Sequence, residues 1–271
     1  MKTIEFQRDP SVLAFMARAL VPKWGRRSVP RMELIRRGYV LGDCRELFAL
    51  CGLPASDELP RWFPLVLGFR LVMRAVTDPA FPEPIWSALQ VRNSIRQRAP
   101  VRAGMPGEYR LTVGEARSLG QGLEVDFVLR FLHEGEEIWG ANVTFYWRKS
   151  TVRGLATGER ILVPAPGISG RAVEVVFPRG GGVRYGGISG DYNGIHLTDT
   201  WARLFGFPSA FLHPHRLLGV MQERIGSGPG ELRVWFRGPV PYGARAELHL
   251  GGSAGFLHLE PSRPAIVAEW G

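Results

Sequence analysis

Seven residues recur 139 positions apart: Arg98-Ala-Pro-Val-Arg-Ala-Gly104 and Arg237-Gly-Pro-Val-Pro-Tyr-Gly243 share the pattern Arg-x-Pro-Val-x-x-Gly. Pro and Gly are common turn residues, so the match alone proves little. The order of elements around it constrains the fold more. In the first half, residues 65–76 are apolar except for two arginines four apart, the pattern of a largely buried helix that ends at Thr77-Asp78-Pro79. Strand-like segments follow at 88–98, 107–117, 122–133 and 137–148, with clear alternation in Leu123 to Phe131 and in Ala141 to Trp147. The second half repeats the plan: a strand at 172–177, a Gly-rich loop, a helix over 214–225, and strands near 231–239, 244–250, 255–259 and 265–270. One buried helix followed by antiparallel strands, twice, is an α+β architecture built by duplication.

The chain divides accordingly. Residues 1–64 read as a helical and irregular lead-in, with a short helix after Asp9-Pro10-Ser11, an Arg- and Pro-rich stretch at 23–37 and a second short helix at 43–50. Residues 65–150 form the first unit, 151–170 a Gly- and Pro-rich linker, and 171–271 the second unit.

Composition narrows the function classes. At 45% hydrophobic and 22% charged, 271 residues read as a globular chain. The formal charge of +9 favours acidic partners. Only Lys2, Lys23 and Lys149 are lysines, however, and no basic run is interleaved with aromatics, so a nucleic-acid binder is the weakest of three function classes. Cys44 and Cys51 are too few for a disulfide scaffold or a zinc site and read as reduced, semi-buried thiols of a cytoplasmic protein. The apolar run at 12–16 is broken by Arg18 and lacks a cleavage pattern, so no secretory leader is expected, and no stretch reaches membrane-spanning length.

The densest cluster of chemistry is Tyr185-Gly-Gly-Ile-Ser-Gly-Asp-Tyr-Asn-Gly-Ile-His196. Gly190 permits a tight turn before Asp191, so that Asp191 and His196, five residues apart, can converge on one point. A carboxylate and an imidazole so placed can hold and activate one water, the Asp as base and the His as proton donor or orienter. Asp and His in Gly-rich loops also serve as turn formers and caps, and the two residues alone leave both readings open.

The wider pattern, Tyr185-x-x-Ile-Ser189-Gly190-Asp191-x-Asn193-x-Ile-His196 with Ala202, Thr198-Asp199, Gly206-Phe207-Pro208 and His213, resembles the hydratase signature Ser-Gly-Asp-x-Asn-Pro-Ile-His of the MaoC-like dehydratases and (R)-specific enoyl-CoA hydratases. The resemblance runs from about residue 172 to the C-terminus and is looser in the first half, where Asp78-Pro-Ala-Phe81 and Arg98-x-Pro-Val101 carry it. It implies a double hotdog, two long buried helices each wrapped by an antiparallel sheet. It also implies that Asp191 and His196 form the reacting pair, with Asn193 bonding within the loop. The substrate implied is an acyl thioester of CoA or acyl carrier protein, handled without cofactor or metal, and a homodimer is the assembly considered. Ser189, Gly190, His213, His215, Arg216 and Phe207 are the expected substrate-binding residues. The first half has no histidine before His133 and cannot supply a second such pair, which leaves one site per chain.

Two positions depart from the signature. Gly194 stands where the family has Pro, which loosens the turn without removing a reacting group. Pro214 stands where the family has a Gly whose backbone N–H begins a helix and donates to the thioester carbonyl; proline has no N–H to give. Loss of such a donor motivates the second function class, an acyl-thioester-binding protein or partner subunit with little hydration, unless His215 substitutes. Several smaller readings remain. His213 and His215 lack a neighbouring acid or thiol and read as a helix-start histidine and a partly exposed one rather than metal ligands. Arg216 is either a phosphate binder or a solvated charge. The glycines at 180–182 and 186–187 read as a flexible loop over the site, their spacing failing the phosphate-loop patterns. Trp201, Phe205, Phe207 and Phe211 line an acyl pocket or belong to the core.

Overall fold

A computed structural model of the chain describes residues 1–23, 28–120, 122–150, 152–158, 163–164, 172–260 and 263–271. The first half contains β1 (Lys2–Phe6), α1 (Val12–Ala19), β2 (Met32–Val40), α2 (Arg45–Leu50), α3 (Phe63–Val76), β3 (Leu89–Gln97), β4 (Pro106–Leu119), β5 (Gly122–His133) and β6 (Glu136–Trp147). The second contains β7 (Val173–Val176), α4 (Gly182–Ser189), α5 (Asp199–Leu204), α6 (Gln222–Ile225), β8 (Gly230–Phe236), β9 (Arg245–Leu250), β10 (Ala254–Glu260) and β11 (Arg263–Trp270). Short 3₁₀ segments lie at Ile85–Ser87, Gly194–His196 and Pro214–Met221.

The strands form one eleven-stranded sheet in the order β1-β2-β4-β5-β6-β3-β8-β11-β10-β9-β7. Read outward from its middle, the sheet is its own repeat. β3 is followed by β6, β5, β4 and β2, and β8 by β11, β10, β9 and β7, so each half runs through its strands in the same sequence. β3 and β8 pair antiparallel from Arg92 opposite Trp235 to Gln97 opposite Gly230, which fuses the two sheets. The two Arg-x-Pro-Val segments leave from the ends of these two central strands, so the short identity marks equivalent corners of a duplicated fold.

Helix α3 is the axis of the first half. Twelve of its fourteen residues are buried. It lies so close to the sheet that a Cβ on Gly68 would sit 2.7 Å from a Leu129 methyl and 2.9 Å from the Tyr109 ring. Each fully buried Leu, Val or Phe on such a face contributes roughly 1.5–3 kcal/mol. Of its two arginines, Arg74 pairs with Asp78 at 2.9 Å and Arg70 donates to the Gly187 carbonyl at 2.6 Å, tying the first helix to the second half.

The second axis differs from the expected single helix over 214–225. It is an eight-residue 3₁₀ segment, Pro214–Met221, continued by α6. Its Gly219 presses against the main chain at Cys51, whose carbonyl oxygen would overlap any Cβ there. Proline at the first position and this backbone contact hold the segment in the tighter winding.

Two further expectations are corrected. The lead-in is not only helical and irregular, because β2 pairs antiparallel with β4, and β1 runs parallel to β2. The signal was hidden by Arg36 and Arg37, whose charges are met on the sheet edge by Asp9, Glu5 and Glu108. The glycine-rich stretch before Asp191 is the helix α4 rather than a loop. The linker expected at 151–170 falls largely outside the described residues. Cys44 and Cys51 are unpaired and buried. No helix among the described residues is long and apolar enough to cross a membrane.

Candidate active site

The site is assembled by a run of short-range bonds that the sequence encodes locally. Helix α4 ends at Gly190, whose φ of 79° is left-handed and costs a glycine nothing. Ser189 closes that end from beneath: its hydroxyl donates to the Tyr185 carbonyl at 3.0 Å and accepts from the Asp191 N–H at 3.1 Å. Asp191 Oδ1 accepts from the Asn193 N–H at 3.1 Å, and Asn193 Oδ1 accepts from the Ile195 N–H as cap of the 3₁₀ turn that carries His196. Thr198 then caps α5, and Asp199 Oδ1 accepts from the Ala210 N–H at 2.9 Å, folding the next loop back over the motif.

His196 is fixed on both sides. Its Nδ1–H donates to the Phe211 carbonyl at 2.9 Å, which leaves Nε2 as the ring atom free for chemistry. Its own carbonyl accepts from Tyr242 Oη at 2.9 Å. Behind it three rings are stacked: His196 on His213 at 4.1 Å between centroids, and His213 on Tyr185 at 4.3 Å. His213 donates from Nε2 to the Asp191 carbonyl at 3.1 Å.

Burial drives the electrostatics. It pushes the Asp191 carboxyl above its ordinary value, opposed by the nearby His196 and the Asn193 N–H. It pushes His196 below its ordinary value, opposed by Asp191 and by the bond to Phe211. His213 is pushed down further and the neighbouring His215 to about 3, so burial favours the neutral form of each ring.

Asp191, His196 and His213 each bring one ligand-capable atom within 4.8 Å of the others. A metal would need the two imidazole lone pairs to converge at about 2.0–2.1 Å. The rings instead lie stacked with only 27° between their planes, so their in-plane lone pairs run side by side. The geometry suits a proton-handling pair backed by a packed ring.

The cavity in front has a volume of about 740 Å³, within the range of small-molecule sites. Asp191, Asn193, His196, Phe207, Phe211 and Pro214 line it from the second half, and Met73, Leu89, Gln90 and Phe145 from the first. Phe207 is therefore on the wall, as expected. Ser189 and Gly190 are not, and they act by shaping the turn. His213, His215 and Arg216 also lie behind the surface. His215 is 3% exposed, correcting the expectation of a partly exposed ring. Arg216 is neither a solvated charge nor open to a phosphate: it is 3% exposed, donates from Nε to the Leu50 carbonyl at 3.1 Å and lies over the Tyr242 ring. Trp201 and Phe205 stack on one another and are not among the cavity-lining residues.

Gly194 is not a loosened turn. A Cβ at this position would overlap the Trp201 indole, which packs flat against the bare glycine and edge-on to Trp86. The usual proline is incompatible with that packing. Sequence reading missed Gln90, Phe145 and Tyr242. The available signal was the Arg-x-Pro-Val repeat, which makes β3 the partner of β8 and places the start of β3 beside the motif.

No family model matches the chain. Among curated proteins, the 3-hydroxyacyl-thioester dehydratase X of Mycobacterium tuberculosis is 29% identical over 167 residues, 61% of this chain and 59% of that protein, so the match spans less than two thirds of the relative. Among solved structures, HtdX of Mycobacterium tuberculosis superposes with a TM-score of 0.70 at 23% identity, over 88% of this chain and 98% of that one. A MaoC-like dehydratase from Phytophthora capsici gives 0.67 at 15% identity, over 93% and 98%. The duplicated sheet and these likenesses show the double-hotdog fold, the fold of the MaoC-like dehydratases whose signature the Asp191–His196 motif resembles.

Proposed function

We propose that the protein interconverts trans-2-enoyl and 3-hydroxyacyl thioesters by reversible addition of water. The observation that carries this reading is the pairing of a half-buried Asp191 with His196 on the wall of a cavity whose lining combines apolar side chains such as Met73, Leu89, Phe145 and Leu217 with Arg92, Arg148, Arg237 and Arg263. In the hydration direction, His196 Nε2 accepts a hydrogen bond from the water and aims it. Asp191 takes the water's proton as its oxygen bonds to C3 of the enoyl group, and the electron pair moves to the thioester carbonyl as an enolate. Asp191 then returns the proton to C2. Both additions come from one face, and by resemblance to the family the product is the (R)-3-hydroxyacyl thioester. Dehydration is the reverse.

The acyl group is carried on CoA or acyl carrier protein. A homodimer is proposed as the assembly, and the two unpaired thiols fit the reducing cytoplasm.

Incubation with crotonyl-CoA and longer enoyl-CoAs, following loss of the enoyl thioester absorbance, tests the reading. Activity requires the Asp191 carboxylate. Because burial raises its pKa, kcat/KM falls on acidification with a midpoint above the ordinary carboxylate value of about 3.9. A profile flat down to pH 4, or no turnover of any enoyl thioester, contradicts it.

A further inference from the structure

Pro214 removes the main-chain donor that would have faced the thioester carbonyl; of the two N–H groups that follow, that of Arg216 is already bonded to the His213 carbonyl at 3.1 Å, and that of His215 is the main-chain alternative. The structure supplies amide protons at the same place from the other half of the chain. Gln90, near the start of β3, lines the cavity together with Asp191, His196 and Pro214. Its Nε2 lies 3.1 Å from Nε2 of His215, the residue that follows Pro214.

The hydrogen-bond inventory around His215 leaves Gln90 with a proton to give. Two amide nitrogens face His215 Nε2, Asn93 Nδ2 at 3.0 Å and Gln90 Nε2 at 3.1 Å, so that ring atom is an acceptor and Nδ1 carries the proton, donating to Tyr185 Oη at 3.2 Å. Burial supports this neutral ring by pushing its pKa down to about 3. A neutral imidazole nitrogen has one in-plane lone pair, and Asn93 satisfies it. Gln90 spends its first amide proton on Asn93 Oδ1 at 2.7 Å. Its second proton only shares the lone pair that Asn93 already fills. The amide is planar and its first proton stays on Asn93, so a carbonyl oxygen entering the cavity would take the second proton by sharing it with His215 Nε2, whose lone pair Asn93 keeps filled.

We propose that the side-chain amide of Gln90 donates to the thioester carbonyl, replacing the main-chain N–H lost at Pro214. The Tyr185–His215–Asn93 network holds that amide in place. This rests on the hydratase reading for the identity of the substrate.

The test is Gln90→Met, which keeps length and loses the donor. Turnover of crotonyl-CoA is expected to fall about 100-fold in kcat, the loss typical of one such donor, with KM changed little. Adding Pro214→Gly to Gln90→Met restores a main-chain donor and should recover most of the loss, which a merely structural role for Gln90 would not allow. A second readout does not depend on turnover: the carbonyl stretch of a ¹³C-labelled butyryl-CoA bound to the wild-type protein shifts to lower frequency than in water, and the shift is lost in Gln90→Met. Turnover within twofold of wild type in Gln90→Met, or an unshifted carbonyl in the wild-type complex, overturns the proposal. Unimpaired turnover in Asp191→Asn would instead overturn the hydratase reading while leaving the carbonyl measurement decisive for Gln90.

Discussion

Asp191→Asn lowers kcat for enoyl-thioester hydration by about 10²–10⁴-fold, the contribution of a positioned general base, and at the same time raises the melting temperature at pH 7. Asparagine keeps the shape and the oxygen that accepts from the Asn193 N–H, so the loop that presents His196 is preserved. What it removes is a charge held in a desolvated wall. Burial raises the Asp191 pKa in the folded chain, so the stabilisation associated with that group is complete below its unfolded pKa and is lost as pH rises through the folded value. At pH 7 the wild type therefore carries a penalty that the variant lacks, and the difference in melting temperature should shrink on acidification. Parallel kinetics and thermal melts at pH 5 and pH 7 check both halves. A variant that loses activity and stability together would place Asp191 in the scaffold instead of the chemistry.

Gly182→Ala, one helix away from any reacting atom, lowers kcat about 100-fold. A Cβ at 182 would overlap the His196 carbonyl oxygen and approach Tyr242 Oη to 2.6 Å, the two groups whose hydrogen bond holds the back of His196. Something must move, and a displacement of about 1 Å in a catalytic group costs on this scale. The loss should fall on kcat more than on KM, since Met73, Phe145 and Leu217 line the cavity and none of them is among the atoms nearest a Cβ at 182. Steady-state kinetics of the variant, with a melt to confirm folding, separates this from general destabilisation.

The parts of this molecule that were legible in the sequence are those written in local code. Alternation gave β5 and β6 to within a residue or two because one face of each strand packs on α3, and the Ser189-Gly190-Asp191 turn is specified by its own side chains. What escaped was set by contacts distant in the chain. β2 was concealed because Arg37 is neutralised by Glu5 and Glu108, which lie on β1 and β4, and Arg36 by Asp9. Helix α4 was concealed because its glycines, poor helix formers on their own, are required by what presses on them: Tyr192 at Gly186, His196 and Tyr242 at Gly182. The same holds at Gly194, whose departure from the family pattern makes sense only once Trp201 is seen against it. Asp191 and His196 were readable as a pair. Gln90 was not, because nothing near it in the chain records that His215 would come to lie 3.1 Å away.

The central claim is that one carboxylate and one imidazole on a single wall of the cavity add water to an enoyl thioester. Product analysis after turnover of crotonyl-CoA in ²H₂O tests it most directly. The account predicts (R)-3-hydroxybutyryl-CoA carrying one deuterium at C2, on the same face as the new hydroxyl, because Asp191 and His196 serve both additions from one side. Deuterium on the opposite face, an (S) product, or an enoyl thioester recovered unchanged would contradict it.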